Sequence, residues 1–211
     1  MKLCENPGWG SAIIEAQLAI LNLPCTLIPS GDIYSDPAAR AALATVNPLV
    51  QIPTLILDDG TVMTESAAIT LHLADLTGSD SLVPKPGDPH RPAFLRWLIF
   101  IVANIYPCFT FADVPTRFVP EPEGEAFKNR ITDHATTLWK VVAAEAARHG
   151  GPWFLGSRFS AIDVYIAVMI HWRPSRATFE RETPILAEIA ARTTARPDMA
   201  AVMHRNFPPN P

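Results

Sequence analysis

The segment Pro7–Ser11 joins a predicted strand to a predicted helix and carries a hydroxyl group at the junction. The start of a helix presents free N–H groups and the positive end of the helix dipole, so an anion is stabilised there. A thiolate is such an anion, and Ser11 is placed to donate a hydrogen bond to it. The alternative is that Ser11 is a plain N-cap, whose oxygen accepts a backbone N–H.

The segment Asn47–Leu55 has a proline, Pro53, at the start of a predicted strand, where proline cannot donate to the strand ladder. We predict a cis peptide bond between Ile52 and Pro53. That bond would turn the N–H and C=O of Ile52 outward, as a free backbone pair able to bind an extended peptide in strand fashion. The alternative is an ordinary trans proline before a strand.

The segment Thr64–Ile69 places Ser66 at the start of another predicted helix, where a carboxylate is stabilised. Glu65, beside it, offers a carboxylate to an ammonium group. Together the two residues suit the head group of an α-amino acid, although a simple helix cap remains the alternative.

A fourth segment pairs a hydroxyl with a carboxylate for structure rather than chemistry. Ser160 and Asp163 have the spacing of a capping box directly before an apolar helix, with Asp in place of the usual Glu or Gln.

The elements around these segments change character along the chain. Residues 1–80 follow the order βαβ-α-ββα, with strands at 1–5, 25–28, 54–57 and 61–63 and helices at 11–22, 36–44 and 65–76. Residues 81–90 are a proline-containing linker. Beyond them only helices are predicted, at 91–113 with a possible kink at Pro107, 123–149, 161–172, 184–194 and 197–204. We therefore predict an α+β domain over 1–80 and an all-helical domain over 91–211.

Composition narrows the class of protein. The 211 residues are 48% hydrophobic and carry a net charge of −4, which favours a packed core and argues against nucleic acid as a partner. The longest uncharged apolar run, at 97–112, is shorter than a membrane helix needs, and no signal peptide is evident. Three cysteines without a C-x-x-C pair, and histidines without metal spacing, predict a cytoplasmic protein with no metal site.

Taken together, the proline loop, the Glu-Ser helix start, the linker and the capping box of the helical half resemble the soluble glutathione transferase family, in its bacterial-type members. The resemblance implies a thioredoxin-like N-terminal domain, an all-helical C-terminal domain and a homodimer. It implies that Ile52 and Pro53 bind the cysteinyl unit of glutathione, that Glu65 and Ser66 hold its γ-glutamyl group, and that Gln51 contacts the tripeptide. It also sets Tyr106 and Phe109 near an electrophile pocket.

The activating residue departs from the family pattern. Glu5 stands where members carry a catalytic Tyr, and Gly8, Trp9 and Gly10 stand where others carry Ser or Cys. Ser11 is the nearest hydroxyl and the candidate catalytic residue. Backbone N–H groups of residues 9–11 are the alternative, with Trp9 forming a wall of the site.

The expected function is a detoxifying glutathione transferase that uses glutathione as co-substrate, without a metal, against a small hydrophobic electrophile. Two alternatives remain. One is a non-catalytic binding module of the same fold. The other is a glutathione-dependent thiol reductase or peroxidase, which would need a cysteine near the first helix, and Cys4 lies inside a strand instead.

Overall fold

A computed structural model describes residues 1–208 of the chain. It divides into two compact units, one formed by Met1–Val83 together with residues from 194 onward, the other by Pro84–Thr193. This division differs from the predicted one in its last part, because the C-terminal helix belongs with the first unit. Residues 209–211, which the predicted helical domain included, lie outside the described residues.

The first unit contains a four-stranded mixed sheet in the order β2-β1-β3-β4. The strands are β1 (Lys2–Glu5), β2 (Thr26–Pro29), β3 (Thr54–Ile56) and β4 (Val62–Met63). Strand β1 runs parallel to β2 and antiparallel to β3, and β4 pairs antiparallel to β3. The predicted order of elements along the chain, βαβ-α-ββα, is confirmed, with strand bounds that differ by at most one residue.

Three helices belong to this unit's N-terminal part: α1 (Ser11–Ile20) connects β1 to β2, α2 (Pro37–Ala44) connects β2 to β3, and α3 (Ser66–Thr77) follows β4. The predicted cap of α2 is confirmed, since the Asp36 carboxylate accepts the Ala38 N–H at 2.8 Å and Pro37 opens the helix. Helix α3 ends at Gly78, whose left-handed φ of 62° suits glycine. Helices α1 and α3 pack against each other.

The two faces of the sheet bury different side chains. Successive residues of a strand point to opposite faces, and Leu3, Cys4 and Glu5 of β1 are all buried. Cys4 joins an apolar cluster with Ile33, Leu43 and Val50. Glu5 points to the other face, where a buried carboxylate requires a partner.

The second unit is helical, as predicted. It contains α4 (Arg91–Phe100), α5 (Tyr106–Asp113), α6 (Gly124–His149), α7 (Ala161–Met169), α8 (Arg176–Glu182) and α9 (Pro184–Thr194), and α10 (Pro197–Asn206) then belongs to the first unit. Helix α8 was not predicted. Within residues 1–208 the chain beyond the linker forms only isolated β-bridges, at 153–158.

A π-helical segment, Ile101–Ile105, lies between α4 and α5, directly before the position of the predicted kink. Pro107 follows in the first turn of α5, and because proline lacks an N–H it cannot continue the hydrogen-bond ladder of the preceding turn. The combined stretch Arg91–Asp113 is long and apolar enough to cross a membrane by length and composition alone. Core helices of soluble proteins share this property, and several side chains of this stretch are fully buried, among them Phe94 and Leu98.

Candidate functional site

The N-cap of helix α1 lies one residue earlier than predicted. Gly10 is the N-cap and already has helical backbone angles, φ −58° and ψ −23°, while Ser11 is the first helical residue. The prediction that Ser11 caps this helix is therefore wrong. With Gly10 turned into the helical region, the serine side chain no longer lies over the N–H groups of the first turn.

The Ser11 hydroxyl bonds to Asn6 instead. It is fully buried, accepts the Asn6 N–H at 3.2 Å and donates to the Asn6 carbonyl at 3.2 Å. A hydroxyl has one hydrogen to donate, so a bond to sulfur would require it to leave that carbonyl. The N–H groups of Gly10 and Ser11 itself have no acceptor within residues 1–208, as expected in the first turn of a helix.

Trp9 connects the start of α1 to the proline loop. Its N–H donates to the Asn6 carbonyl at 3.1 Å, and its ring stacks on Tyr34 with centroids 5.0 Å apart. Tyr34 is 48% exposed, so the stack reaches the surface. Trp9 and Ile52 both pack against the apolar cluster that contains Cys4. The structure therefore brings two of the predicted site segments to one cluster.

The peptide bond between Ile52 and Pro53 is cis, as predicted. Pro53 is buried and Ile52 half-buried. Neither the N–H nor the C=O of Ile52 has a hydrogen-bond partner within residues 1–208. A backbone pair left free directly before a strand is what an extended peptide needs for strand-like pairing.

Asn47 organises this loop, a role that the sequence did not suggest. Its side chain is 3% exposed and donates to the Gln51 carbonyl at 2.9 Å and to the Thr54 hydroxyl at 3.0 Å. Its side-chain oxygen accepts the Leu49 N–H at 3.0 Å. The Gln51 carbonyl is thus used inside the loop, while the Gln51 side chain is exposed to solvent. An Asn directly before a Pro, followed by a second proline, is the local signal for such a loop.

The start of α3 is open. Glu65 is its N-cap but makes no capping bond, and its side chain is exposed. Its backbone has φ 64° and ψ 102°, a conformation that residues other than glycine rarely adopt. Ser66 is 8% exposed, and its hydroxyl has no partner among the described residues. A free hydroxyl beside a free helix start is an arrangement that can bind a carboxylate.

The cysteines have the properties of structural residues. Cys4 is 4% exposed, and burial raises the pKa of its thiol, which disfavours the reactive thiolate. Burial is likewise the main cause of the raised pKa of Cys25 and Cys108. Within residues 1–208 no group of three or more His, Cys, Asp or Glu side chains is placed to hold a metal ion.

An aromatic group in the helical unit includes both predicted pocket residues. Tyr106 and Phe109 meet edge to face with centroids 6.3 Å apart, and Trp172 lies 5.5 Å from the first and 5.1 Å from the second. Trp172 was not singled out from the sequence, because it lies more than sixty positions further along the chain.

Comparison with known proteins gives the same family from three directions. Residues 14–76 match the family described as Glutathione S-transferase, N-terminal domain. The uncharacterized GST-like protein YncG of Escherichia coli K12 is 33% identical over 206 residues, 98% of each chain.

Solved structures of glutathione transferases are similar to this chain over almost its whole length. A glutathione transferase of Methylococcus capsulatus is 30% identical, with a TM-score of 0.78 over 96% of both chains. A sphingomonad glutathione S-transferase in complex with glutathione is 26% identical, with a TM-score of 0.78 over 96% of this chain and 97% of that one.

Proposed function

The chain belongs to the soluble glutathione transferase family, and from that premise we propose that it binds glutathione and activates the thiol for attack on a small hydrophobic electrophile. The observation that carries the proposal is a set of polar groups, at Ile52 and at Ser66, that have no partner within residues 1–208. These groups are open to a ligand, whose polar atoms would satisfy them.

The backbone pair of Ile52 would bind the cysteinyl unit of glutathione. Two hydrogen bonds, one donated by the N–H and one accepted by the C=O, extend the ligand beside the loop as a short strand. Pro53 holds that register, and the exposed Gln51 side chain is available to contact the tripeptide. The glutathione complex of the sphingomonad relative supports a ligand of this class.

The γ-glutamyl group would occupy the start of α3. Its carboxylate would accept the Ser66 hydroxyl and the free N–H groups of the first turn, which the helix dipole reinforces. Its ammonium group would meet the exposed Glu65 carboxylate. The two charges of one amino-acid head group thus match the two residues in type.

The thiol would be activated mainly by backbone N–H groups. A thiol with a pKa near roughly 8.5 is mostly protonated at neutral pH, and lowering that pKa by about two units requires about 2.7 kcal/mol. Of the two alternatives, the geometry favours the free Gly10 and Ser11 amides at the start of α1, because the Ser11 hydroxyl is bonded to Asn6. Trp9 would line the site of the sulfur, and the Ser11 hydroxyl would stabilise the loop through its hydrogen bonds to Asn6.

The surrounding assignments are also proposals. We expect a cytoplasmic homodimer with a detoxification role. Residues 1–80 hold 2 basic and 9 acidic side chains against 15 and 12 in residues 81–211, a complementarity that suits a two-fold contact. Ile99 and Val141 add exposed apolar surface to the helical unit. Sedimentation showing a 23.1 kDa species at micromolar concentration would contradict the dimer.

The test combines three measurements on the wild-type protein. Calorimetry measures glutathione binding, the thiolate absorbance of bound glutathione against pH measures activation, and an aryl halide with a chromophoric product measures conjugation. Binding, a lowered thiol pKa and conjugation above the uncatalysed rate support the proposal. Binding without a lowered thiol pKa identifies a binding module instead, and absence of binding overturns the glutathione assignment altogether.

The Ser11→Ala variant separates the two sources of activation. If the amides hold the sulfur, bound glutathione keeps its lowered thiol pKa in this variant while the protein loses about 1 kcal/mol of stability with the two bonds to Asn6. A thiol pKa that rises by one unit or more, with binding retained, assigns the activation to the hydroxyl.

A further inference from the structure

We propose that Asn206, on the C-terminal helix α10, is a positioning residue for the thiol-activating loop at the start of α1. The proposal rests on the function proposed above. Its basis is a chain of hydrogen bonds, inside the first unit, from α10 to the backbone of Gly8.

The contact joins residues at opposite ends of the chain. The Gly8 N–H donates to the side-chain oxygen of Asn206 at 3.0 Å. Gly8 has a φ of 79°, and a Cβ placed on it would lie 3.2 Å from the Asn206 carbonyl and 3.6 Å from the Phe207 ring. This approach explains a glycine at position 8, because a side chain would strain the backbone and press against α10.

The orientation of the Asn206 side chain is determined by its other partners. Its amide nitrogen donates to the Glu15 carboxylate at 2.9 Å and to the Val202 carbonyl at 2.9 Å. Both partners are acceptors, so the nitrogen must face them and the oxygen must face the Gly8 N–H. The residue is 5% exposed, so water has little access to its amide group and cannot readily replace these partners.

Arg205 fixes the helix that carries Asn206. It bonds to both oxygens of the Glu15 carboxylate, in one case at 2.8 Å, and to the Glu5 carboxylate at 3.1 Å. Glu5 and Glu15 are 3% and 9% exposed, so each needs a cation or donor to be stable where it lies. The two carboxylates therefore bind the end of α10 to β1 and α1.

The loop between β1 and α1 is thus held at its first residue, Asn6, and at its middle residue, Gly8. Ser11 and Trp9 bond to Asn6, while Asn206 bonds to Gly8. The N–H groups of Gly10 and Ser11, in contrast, have no acceptor within residues 1–208. Bonds at Gly8 and Trp9 restrict the backbone that leads into Gly10 and Ser11. This restriction sets the direction of their N–H groups before a ligand arrives, which is the preorganisation that electrostatic stabilisation of an anion requires.

The experiment compares Asn206→Ala with Met199→Ala. Met199 is a fully buried residue of the same helix, seven positions or about 10 Å from Asn206 along the axis, so its loss reduces packing without removing the bond to Gly8. The readouts are the thiol pKa of bound glutathione, thermal stability, and hydrogen exchange of the Gly8 amide in the free protein. If Asn206→Ala does not fold, Gly8→Ala disturbs the same contact from the loop, because the added Cβ would press against the Asn206 carbonyl.

The proposal predicts that Asn206→Ala, or Gly8→Ala, raises the thiol pKa of bound glutathione by about half to one unit, which corresponds to an acid dissociation constant of the thiol about three- to tenfold lower. The Gly8 amide of Asn206→Ala exchanges at least tenfold faster, and Met199→Ala changes neither quantity although it melts at a lower temperature. An unchanged thiol pKa in Asn206→Ala, or an equal rise in Met199→Ala, overturns the proposal. If the wild-type protein itself does not lower the thiol pKa of bound glutathione, the proposed function fails. In that case the hydrogen-exchange rate of the Gly8 amide tests the positioning role alone, and an unaltered rate in Asn206→Ala overturns it.

Discussion

The starts of helices α3 and α7 use the same two kinds of side chain to opposite effect. At α7, Ser160 and Asp163 are both fully buried, and the Asp163 carboxylate accepts the N–H groups of Ser160 and Phe154, each at 2.7 Å. At α3, Glu65 is exposed and the Ser66 hydroxyl has no partner among the described residues.

The difference lies in where the carboxylate stands relative to the helix. Asp163 is at the third helical position, from which it reaches back to the N-cap and closes the predicted capping box. Glu65 precedes the helix and sits on a left-handed backbone, so it cannot close such a box. A serine and an acid at a helix start therefore form a structural cap when they satisfy each other, and a candidate ligand site when they do not.

The largest expected effect tests the start of α7, which we call the closed helix start because Ser160 and Asp163 satisfy each other there; the start of α3, with Glu65 and Ser66, is the open helix start. Asp163→Ala leaves two buried N–H groups without an acceptor, and we expect it to lower the free energy of unfolding by about 3 kcal/mol. Chemical denaturation measures this loss. Asp198→Ala is the matched control, since Asp198 is also an acid in the first turn of a helix but pairs with Arg196 near the surface, and should cost less than about 0.5 kcal/mol. A loss below 1 kcal/mol for Asp163→Ala would remove the contrast with α3.

The next effect tests the open helix start. Ser66→Ala should weaken glutathione binding by about 1–3 kcal/mol, because the ligand carboxylate loses a charge-assisted hydrogen bond. Stability should change by less than about 0.5 kcal/mol, since the hydroxyl has no partner to lose. Calorimetry and denaturation give the two numbers, with Ser81→Ala, an exposed serine beyond α3, as control. An unchanged affinity would mean that Ser66 does not hold the ligand.

A smaller effect follows from the pH dependence of the closed start. Burial raises the pKa of Asp163 to about 6. The hydrogen bonds from Phe154 and Ser160 lower this pKa, but the effect of burial is larger. The folded state then binds a proton between pH 6 and roughly 4 that the unfolded state does not, so this group stabilises the fold increasingly as pH falls through that window. The stability difference between wild type and Asp163→Asn should therefore grow by about 1 kcal/mol from pH 7 to pH 5. A difference that shrinks on acidification would show that the native carboxyl stays ionised.

The smallest effect concerns the backbone of the open start. Glu65→Gly removes a side chain from a strained conformation, at φ 64° and ψ 102°, and should raise the free energy of unfolding by about 1 kcal/mol after the extra chain entropy of glycine is counted. Glutathione affinity should fall in the same variant with the loss of the carboxylate. Asn22→Gly is the control, because Asn22 has a φ of 52° and asparagine tolerates that region. A destabilised Glu65→Gly would indicate that the Glu65 side chain supports the fold rather than the ligand.

The sequence determined most of what depends on neighbours along the chain. Apolar spacing predicted α1, α3 and α6 within a few residues, the Asp36-Pro37 pair predicted the start of α2, and the serine-to-aspartate spacing predicted the capping box of α7. The cis bond before Pro53 was also predicted, from a proline at a strand start in a loop that resembles that of the family. These features are local, because a helix turn, a cap or a proline bond is decided within a few residues.

Only the tertiary structure decided which polar groups stay free. Nothing near Ser11 showed that its hydroxyl would bond to Asn6, and nothing near Gly8 pointed to Asn206, 198 positions away. The Glu5 carboxylate accepts a hydrogen bond from Arg205, which is 200 positions away in the sequence. The physical reason is that a donor or acceptor is available to a ligand only after every partner that folding brings within reach has been counted. Of the partners named here, Asn6 is near in sequence, while Asn206 and Arg205 come from the far end of the chain.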